Sequence, residues 1–418
     1  MISKYLSKIR HPLVANSFYL YTAHFADYIL SFLILPFIAR KLGPSSLGEV
    51  ALAQTFGIFC LLFMEYGFSL SATRTVARLK EDKIALRLFL NQSYSFKILL
   101  IPVIFVLALV LIRVLPIFTK NPHFIIIVFI GSIMQGLAPT WYFQGVEKLK
   151  FVAQSKIIFR IIGFIFIFIF VQTPQDGWLV LTGHSVTSAC ILSYLFLKMK
   201  KDLGRIKWLG LQKALQLGSN NKWGFFITVI PVIYQSLSAF LMGVLVTPAQ
   251  LGFLFGAGKI HRAFNSLFGP LGQAVYPRLV SLSHGQSMVA KSMLKKLMMI
   301  MLGLGLLFAG ILIGIPEIMI NIILGDAFSE SVSVLQLFGF VLPLTAISHV
   351  LGRQWMLVKF QEKPYGIILC IASFVACGFV WLSIEQYKIH AIPLSMILFE
   401  VISIGLITIH RIFKPSES

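Results

Sequence analysis

Among the ionisable residues inside stretches otherwise apolar enough to cross a membrane are the bases Lys97, Arg160, Lys259 and Arg262 and the deep acids Asp27, Glu65 and Glu400. A charge held mid-bilayer costs about 3 kcal/mol or more, so such a residue faces a polar cavity or a partner. Lys259 and Arg262 are three positions apart and share a helical face, with His261 beside them. Both stand well inside their span, which favours a cavity. Lys97 and Arg160 lie nearer the inner ends of theirs, where snorkelling to the headgroups is an equal reading. Asp27 has His24 about one turn earlier on the same face, a carboxylate–imidazole arrangement able to exchange a proton near neutral pH. The same carboxylate could instead form an ion pair with one of the bases. Glu65 follows Gln54 by three helical turns, so the two can face one cavity, whereas Glu400 has no partner legible in the sequence. Asp27, His24, Glu65 and Glu400 are the candidates for proton or cation coupling.

The elements that must position these residues are membrane helices. The chain has 418 residues, of which 57% are hydrophobic and 12% charged, and its mean hydropathy is +0.87. Uncharged runs such as Phe124–Phe143, Leu297–Pro316 and Pro364–Ile384 are each about 20 residues long, enough to cross the hydrocarbon. The pattern divides into about twelve spans: 14–39, 47–72, 89–112, 123–143, 157–173, 178–197, 223–245, 250–275, 297–316, 332–352, 364–384 and 389–410. Of the 36 Lys and Arg, 27 fall at the termini or in the even-numbered gaps and only five in the odd ones. Basic residues flanking short loops stay inside, so both termini and the even gaps are expected to be cytoplasmic. The net charge of +21 is then explained by orientation and contact with anionic lipid, and nucleic acid is not an expected partner.

The longest gap, residues 200–222, divides the chain into an expected six-helix bundle over 1–199 and a second over 223–418. Within that basic linker, Ile206–Leu217 has the amphipathic pattern of an interfacial helix. The halves resemble each other. A shift of 204 lays Pro44-Ser45-Ser46-Leu47-Gly48 on Pro248-Ala249-Gln250-Leu251-Gly252, Asn16 on Asn220 and Arg74 on Arg278. Six helices return the chain to its starting side, so the repeats are parallel, an arrangement found in transporters.

Other chemistry is excluded or unsupported. Cys60, Cys190, Cys370 and Cys377 all fall in apolar spans without metal-ligand spacing or a disulfide framework. There is no P-loop, no H-E-x-x-H and no nucleophile with a plausible base, so neither an enzyme nor a resident cofactor or metal is expected. With no nucleotide site, the driving force must be an ion gradient, the membrane potential or the substrate's own gradient. A membrane glycan polymerase or ligase is disfavoured by the short external loops.

Several segments sharpen this reading. Asn16-Ser17-Phe18-Tyr19-Leu20-Tyr21, Leu35-Pro36-Phe37-Ile38-Ala39-Arg40 with Leu42-Gly43-Pro44, the run from Glu65 to Arg74, and Trp141-Tyr142-Phe143-Gln144-Gly145 together resemble bacterial polysaccharide flippases of the Wzx type. The likeness covers the whole chain and is strongest in its first 160 residues. It implies the multidrug/oligosaccharidyl-lipid/polysaccharide exporter (MOP) superfamily, an all-α, MATE-like fold of two six-helix bundles around a basic central cavity. It also implies transfer of an undecaprenyl-pyrophosphate-linked oligosaccharide, an O-antigen or related unit, from the cytoplasmic to the periplasmic leaflet of the inner membrane. In that setting the polysaccharide polymerase and chain-length regulator are expected partners. Arg pairs with pyrophosphate through a bidentate fork and Lys as a point charge. On this resemblance Arg262, Lys259, Arg74 and Arg278 are expected at the pyrophosphate, with Arg160 and Lys97 in the cavity. Arg74 and Arg278 would form its cytoplasmic mouth, or serve topology alone. Tyr21, Tyr28 and Trp141 could line a sugar path. A cation-coupled drug antiporter of the same superfamily is the alternative, and would call for a more acidic cavity. A lipid II flippase usually carries two further helices.

Overall fold

A computed structural model describes residues 12–66, 68–114, 116–220, 238–272, 275, 279, 287–356, 358 and 361–413, with side chains from Leu30 onward except at 69–70, 116–117, 219–220, 287 and 362. These residues are helical or irregular, with no strand among them. Eight helices are long and apolar enough to cross a membrane by length and composition. Two of those stretches each cover a pair of sequence spans, and helix Pro248–Asn265 occupies the eighth. The seventh span, 223–245, lies outside the described residues except at its end.

The helix ends follow local chemistry. Helix α1 (Pro12–Glu65) is two limbs joined at Gly43, whose φ of 69° suits glycine, and the second limb begins at Pro44. The second span was expected to run to residue 72. Instead the backbone turns at Tyr66 (φ 41°), and Phe68–Leu79 forms a separate amphipathic helix, α2. Phe68, Ala72 and Val76 are buried at four-residue spacing while Arg74 and Arg78 are exposed. After α3 (Lys83–Val114), α4 (Pro122–Leu137) stops where Pro139 forces Ala138 into extended geometry. The fourth span is therefore also broken, and continues as the short helix α5 (Thr140–Gly145). Helices α6 (Leu149–Phe170) and α7 (Gly177–Leu203) follow, and Gly204 (φ 80°) ends α7.

The chain divides into two compact units: residues 1–34 with 50–232, and residues 35–49 with 233–418. In the first, α4 and α6 pack on α7, and α2 packs on α5. The linker belongs to this unit. Its expected helix starts later, as α8 (Leu211–Asn220), because Gly210 (φ 89°) interrupts it. The preceding segment is irregular and pinned to α3: Lys207 N–H donates to Asn91 Oδ1 (2.9 Å) and Leu209 N–H to Ser95 Oγ (3.1 Å). Trp208, Leu211 and Leu215 remain exposed, in keeping with an interfacial element.

The second unit comprises α9 (Pro248–Asn265), α10 (Ser287–Gly314), α11 (Pro316–Ile323), α12 (Ser331–Ser348), a π-helical segment (His349–Met356), α13 (Glu362–Tyr387) and α14 (Ala391–Phe413). Helix α12 is its hub, packing on α9, α10 and α14. The turn at residues 35–49 completes this unit. There Arg40, an exception to the charge sorting, donates to the Ile322 carbonyl (2.7 Å) and the Asn321 carbonyl (3.3 Å) at the C-terminal end of α11. A guanidinium at that end satisfies orphan carbonyls and complements the helix dipole.

Candidate substrate-binding site

Helix α9 begins with a capping box. Thr247 Oγ1 accepts from Gln250 N–H (3.3 Å), Gln250 Oε1 accepts from Thr247 N–H (3.1 Å), and Pro248 occupies the first turn. Along the helix Leu254, Ala257, Ile260 and His261 are buried, and the His261 ring stacks on Phe338 of α12 with centroids 4.9 Å apart. That contact sets the rotation of the helix. Phe255, Lys259 and Arg262 recur on the less buried face, Lys259 half-buried and Arg262 exposed. Neither base has an acidic partner among the described residues. Like charges one turn apart repel by about 0.2–0.5 kcal/mol on a solvated helix, and more where water is scarce. An anion bridging them removes that penalty.

In the first unit, Lys97 behaves differently from either sequence reading. It is 1% exposed, and its ammonium donates to the Gly136 carbonyl at the end of α4. It also lies 5.3 Å from the Phe68 ring centroid and 5.9 Å from that of Trp141. Beside it, Tyr94 Oη donates to the Leu137 carbonyl at 2.9 Å. The break at Pro139 leaves these carbonyls without helical donors, and the two side chains supply them. Lys97 is thus engaged by the backbone rather than presented to a headgroup or a cavity.

Glu65, at the end of α1, is exposed and lies in the electrostatic field of Lys97 and Lys156. Lys156 falls in the fourth gap between the sequence spans, yet it stands four residues before Arg160 on one face of α6, a spacing that marks it beside the charged set. Arg160 lines a small cavity of about 30 Å³ with Leu30, Ser31, His184 and Thr187, room for about one water. Arg74 is exposed on α2. Glu400 is buried on α14 and accepts a hydrogen bond from Thr345 Oγ1 at 2.8 Å. Nothing in the sequence linked those two positions, 55 residues apart. Trp141 is 4% exposed among Phe68, Phe89 and Tyr94, so it packs the core rather than offering a face to a sugar. Asp27 and His24 lie on α1, but their side chains, with those of Tyr21 and Tyr28, are outside the described set, and Arg278 is outside the described residues. The described residues contain no cluster of three or more His, Cys, Asp or Glu that could hold a metal.

Eight helices apolar enough to cross a membrane, one unit of which carries two bases with no acidic partner among the described residues, define a multi-pass membrane protein, and the fold is that of the MOP superfamily. It is similar to a solved lipid II flippase, MurJ (TM-score 0.70, 14% identity, covering 95% of this chain and 87% of that one). It is equally similar to an inward-facing multidrug resistance MATE family transporter (TM-score 0.71, 12% identity, 95% and 96% covered). The chain belongs to the polysaccharide biosynthesis protein family, whose pattern matches residues 13–283. Its relatives include O-antigen transporters of Escherichia coli K12, 27% identical over 86% of this chain and 87% of the relative, and of Shigella dysenteriae, 27% identical over 93% and 97%. The sequence resemblance to Wzx-type flippases is thereby sustained.

Proposed function

We propose that the protein transfers an undecaprenyl-pyrophosphate-linked oligosaccharide, an O-antigen unit or related glycan, from the cytoplasmic to the periplasmic leaflet of the bacterial inner membrane by alternating access. The observation that carries this reading is the Lys259–Arg262 face, two bases in an apolar unit with no acidic partner among the described residues. A lipid pyrophosphate cannot cross hydrocarbon unaided, because its phosphates would lose their hydration uncompensated. Arg262 would fork onto the pyrophosphate and Lys259 would add a point charge. Arg74 and Arg278, equivalent in the repeat, would admit the headgroup at the cytoplasmic mouth, with both termini on that side. The family membership and the O-antigen transporter relatives support the glycan; the absence of a P-loop supports an ion or substrate gradient as the driving force. The polysaccharide polymerase and chain-length regulator would act on the delivered product.

The test is complementation of a deletion strain, with lipid-linked oligosaccharide assayed by leaflet. Wild type should restore surface polysaccharide, and Arg262→Ala and Lys259→Ala should leave the intermediate on the cytoplasmic side. Intact polysaccharide in the null strain, with altered sensitivity to cationic compounds, would replace this reading with a drug antiporter.

A further inference from the structure

We propose that α2 and α5 move as one body, a flap on the first unit that pivots about Lys97 and is caught by Asp202 of α7. The second and fourth spans break side by side. Met64, just before the turn at Tyr66, abuts Gly136, just before the break at Ala138 and Pro139, so closely that a methyl group on Gly136 would strike Met64 Cβ. Beyond the breaks the two pieces pack on each other, α2 more extensively on α5 than on α3. Thr73 Oγ1 donates to the Trp141 carbonyl at 3.4 Å, and Gly145 lies against Val76 and the Thr73 carbonyl without room for a methyl group. Lys80, just past α2, reaches Glu147, just past α5, at 3.6 Å. That ion pair is about half exposed and adds little, so the buried seam is what joins the two helices.

Strain brackets the pair. Three non-glycine residues among those described have positive φ, and two of them bound the flap: Tyr66 (41°) before α2 and Glu147 (59°) after α5. A left-handed residue with a side chain costs on the order of 1–3 kcal/mol, and such strain gathers where a segment changes between two arrangements. Pro139 adds a joint without a backbone donor between α4 and α5. Hinges are element-terminal residues of this kind, which absorb the change in φ and ψ.

The fixed side holds the flap in two places. At the breaks, the Lys97 ammonium donates to the Gly136 carbonyl of α4, whereas the Phe68 and Trp141 rings that it faces belong to the flap, 5.3 and 5.9 Å away. A cation is held over a ring anywhere within about 6 Å, a hydrogen bond only at about 3 Å. Lys97 therefore keeps its carbonyl while the rings shift beneath it. The flap rests on α3 through further rings, Phe68 on Phe96 and Trp141 on Phe89 and Tyr94, with centroids 6.0–6.4 Å apart. The Trp141 indole N–H is buried without a hydrogen-bond partner among the described residues, so this layer lacks that anchor. At the far end Tyr142 Oη donates to Asp202 Oδ2 at 3.4 Å, beside the Lys148 ammonium on the same oxygen at 3.1 Å. A long hydrogen bond to a part-exposed carboxylate is a weak catch, of the kind a releasable flap requires.

Arg74 and Arg78 lie on the exposed face of α2, so the flap carries both bases with it. Its use in admitting a lipid-linked headgroup rests on the flippase reading; the movement does not. The experiment is pulsed electron paramagnetic resonance of the full chain in liposomes, with the four native cysteines replaced. Spin labels on Arg78→Cys and Gln144→Cys report the pair internally, and labels on Arg78→Cys and Leu197→Cys report it against α7; all three positions are exposed. Adding Asp202→Asn should shift or broaden the 78–197 distances and leave the 78–144 distances as they were. Broadening of the 78–144 distances overturns the proposal, since the two helices would then move separately. Unchanged 78–197 distances overturn it too, since the flap would be fixed. Should Asp202→Asn fail to fold, Tyr142→Phe, which removes only the hydroxyl, decides in its place. The expected shift in a protein that fails to complement the deletion strain would sustain the flap and remove the flippase reading.

Discussion

Gly48 and Gly252 meet backbone to backbone, and the contact is reciprocal. A methyl group on Gly48 would strike the Pro248 carbonyl and lie 2.7 Å from Gly252 N, while one on Gly252 would strike the Pro44 carbonyl. Pro44, Leu47 and Gly48 correspond to Pro248, Leu251 and Gly252 in the internal repeat, and both leucines are fully buried. Both glycines lie in the second unit, so the close approach packs the two matched segments within it. Alanine at either glycine should destabilise the protein by at least about 1–3 kcal/mol, as overpacking against rigid backbone does. The single variants should be alike, and the double variant should cost less than their sum. Thermal unfolding of the three proteins in one detergent checks this; an unshifted midpoint for either single variant contradicts it.

Lys97 and Arg262 should separate stability from transport. Lys97→Met leaves the Gly136 carbonyl without its donor, at a cost of about 1–3 kcal/mol for a buried unsatisfied group. Arg262→Ala removes an exposed side chain with no acidic partner among the described residues and should change stability by no more than about 0.5 kcal/mol. Unfolding midpoints compared with surface polysaccharide should therefore show Lys97→Met losing both together and Arg262→Ala losing polysaccharide alone.

At the anion itself the two bases should differ. Removing a charge-assisted hydrogen bond costs about 1.5–3 kcal/mol, so Arg262→Ala should weaken binding of a soluble polyprenyl pyrophosphate analogue about 10- to 100-fold. Arg262→Lys should recover part of the loss, keeping charge but not the fork. Titration calorimetry at two salt concentrations measures this, and equal affinities for wild type and Arg262→Ala would contradict the assigned role.

Tyr94→Phe removes one hydroxyl and leaves the Leu137 carbonyl unpaired beside Lys97. A loss of about 1 kcal/mol is expected. If Lys97 and Tyr94 jointly cap α4, the double variant with Lys97→Met should depart from additivity by at least about 0.5 kcal/mol in unfolding measurements.

Thr247→Ala should cost about 1 kcal/mol by removing the capping box at the start of α9. Because that helix carries Lys259 and Arg262, a transport defect larger than the stability loss implies would show that the rotation of α9 positions the bases. Thr247→Ser, which keeps the cap, should behave as wild type in both assays.

Membrane class, most span positions and the repeat were legible because hydropathy and loop charge accumulate along the chain over windows of about 20 residues, and need no partner. The equivalence of Pro44–Gly48 and Pro248–Gly252 could be read as a shift of 204, but their contact could not. Two breaks were missed, at Tyr66 and at Pro139, because a span's average hydropathy is indifferent to one or two residues that turn its backbone. The duties of individual charges were decided only by tertiary structure. Lys97 finds its carbonyl 39 residues away, Glu400 its hydroxyl 55 residues away and Arg40 its helix end 282 residues away. A buried charge is governed by whichever polar group packing brings within about 3 Å, and nothing in one dimension encodes that distance.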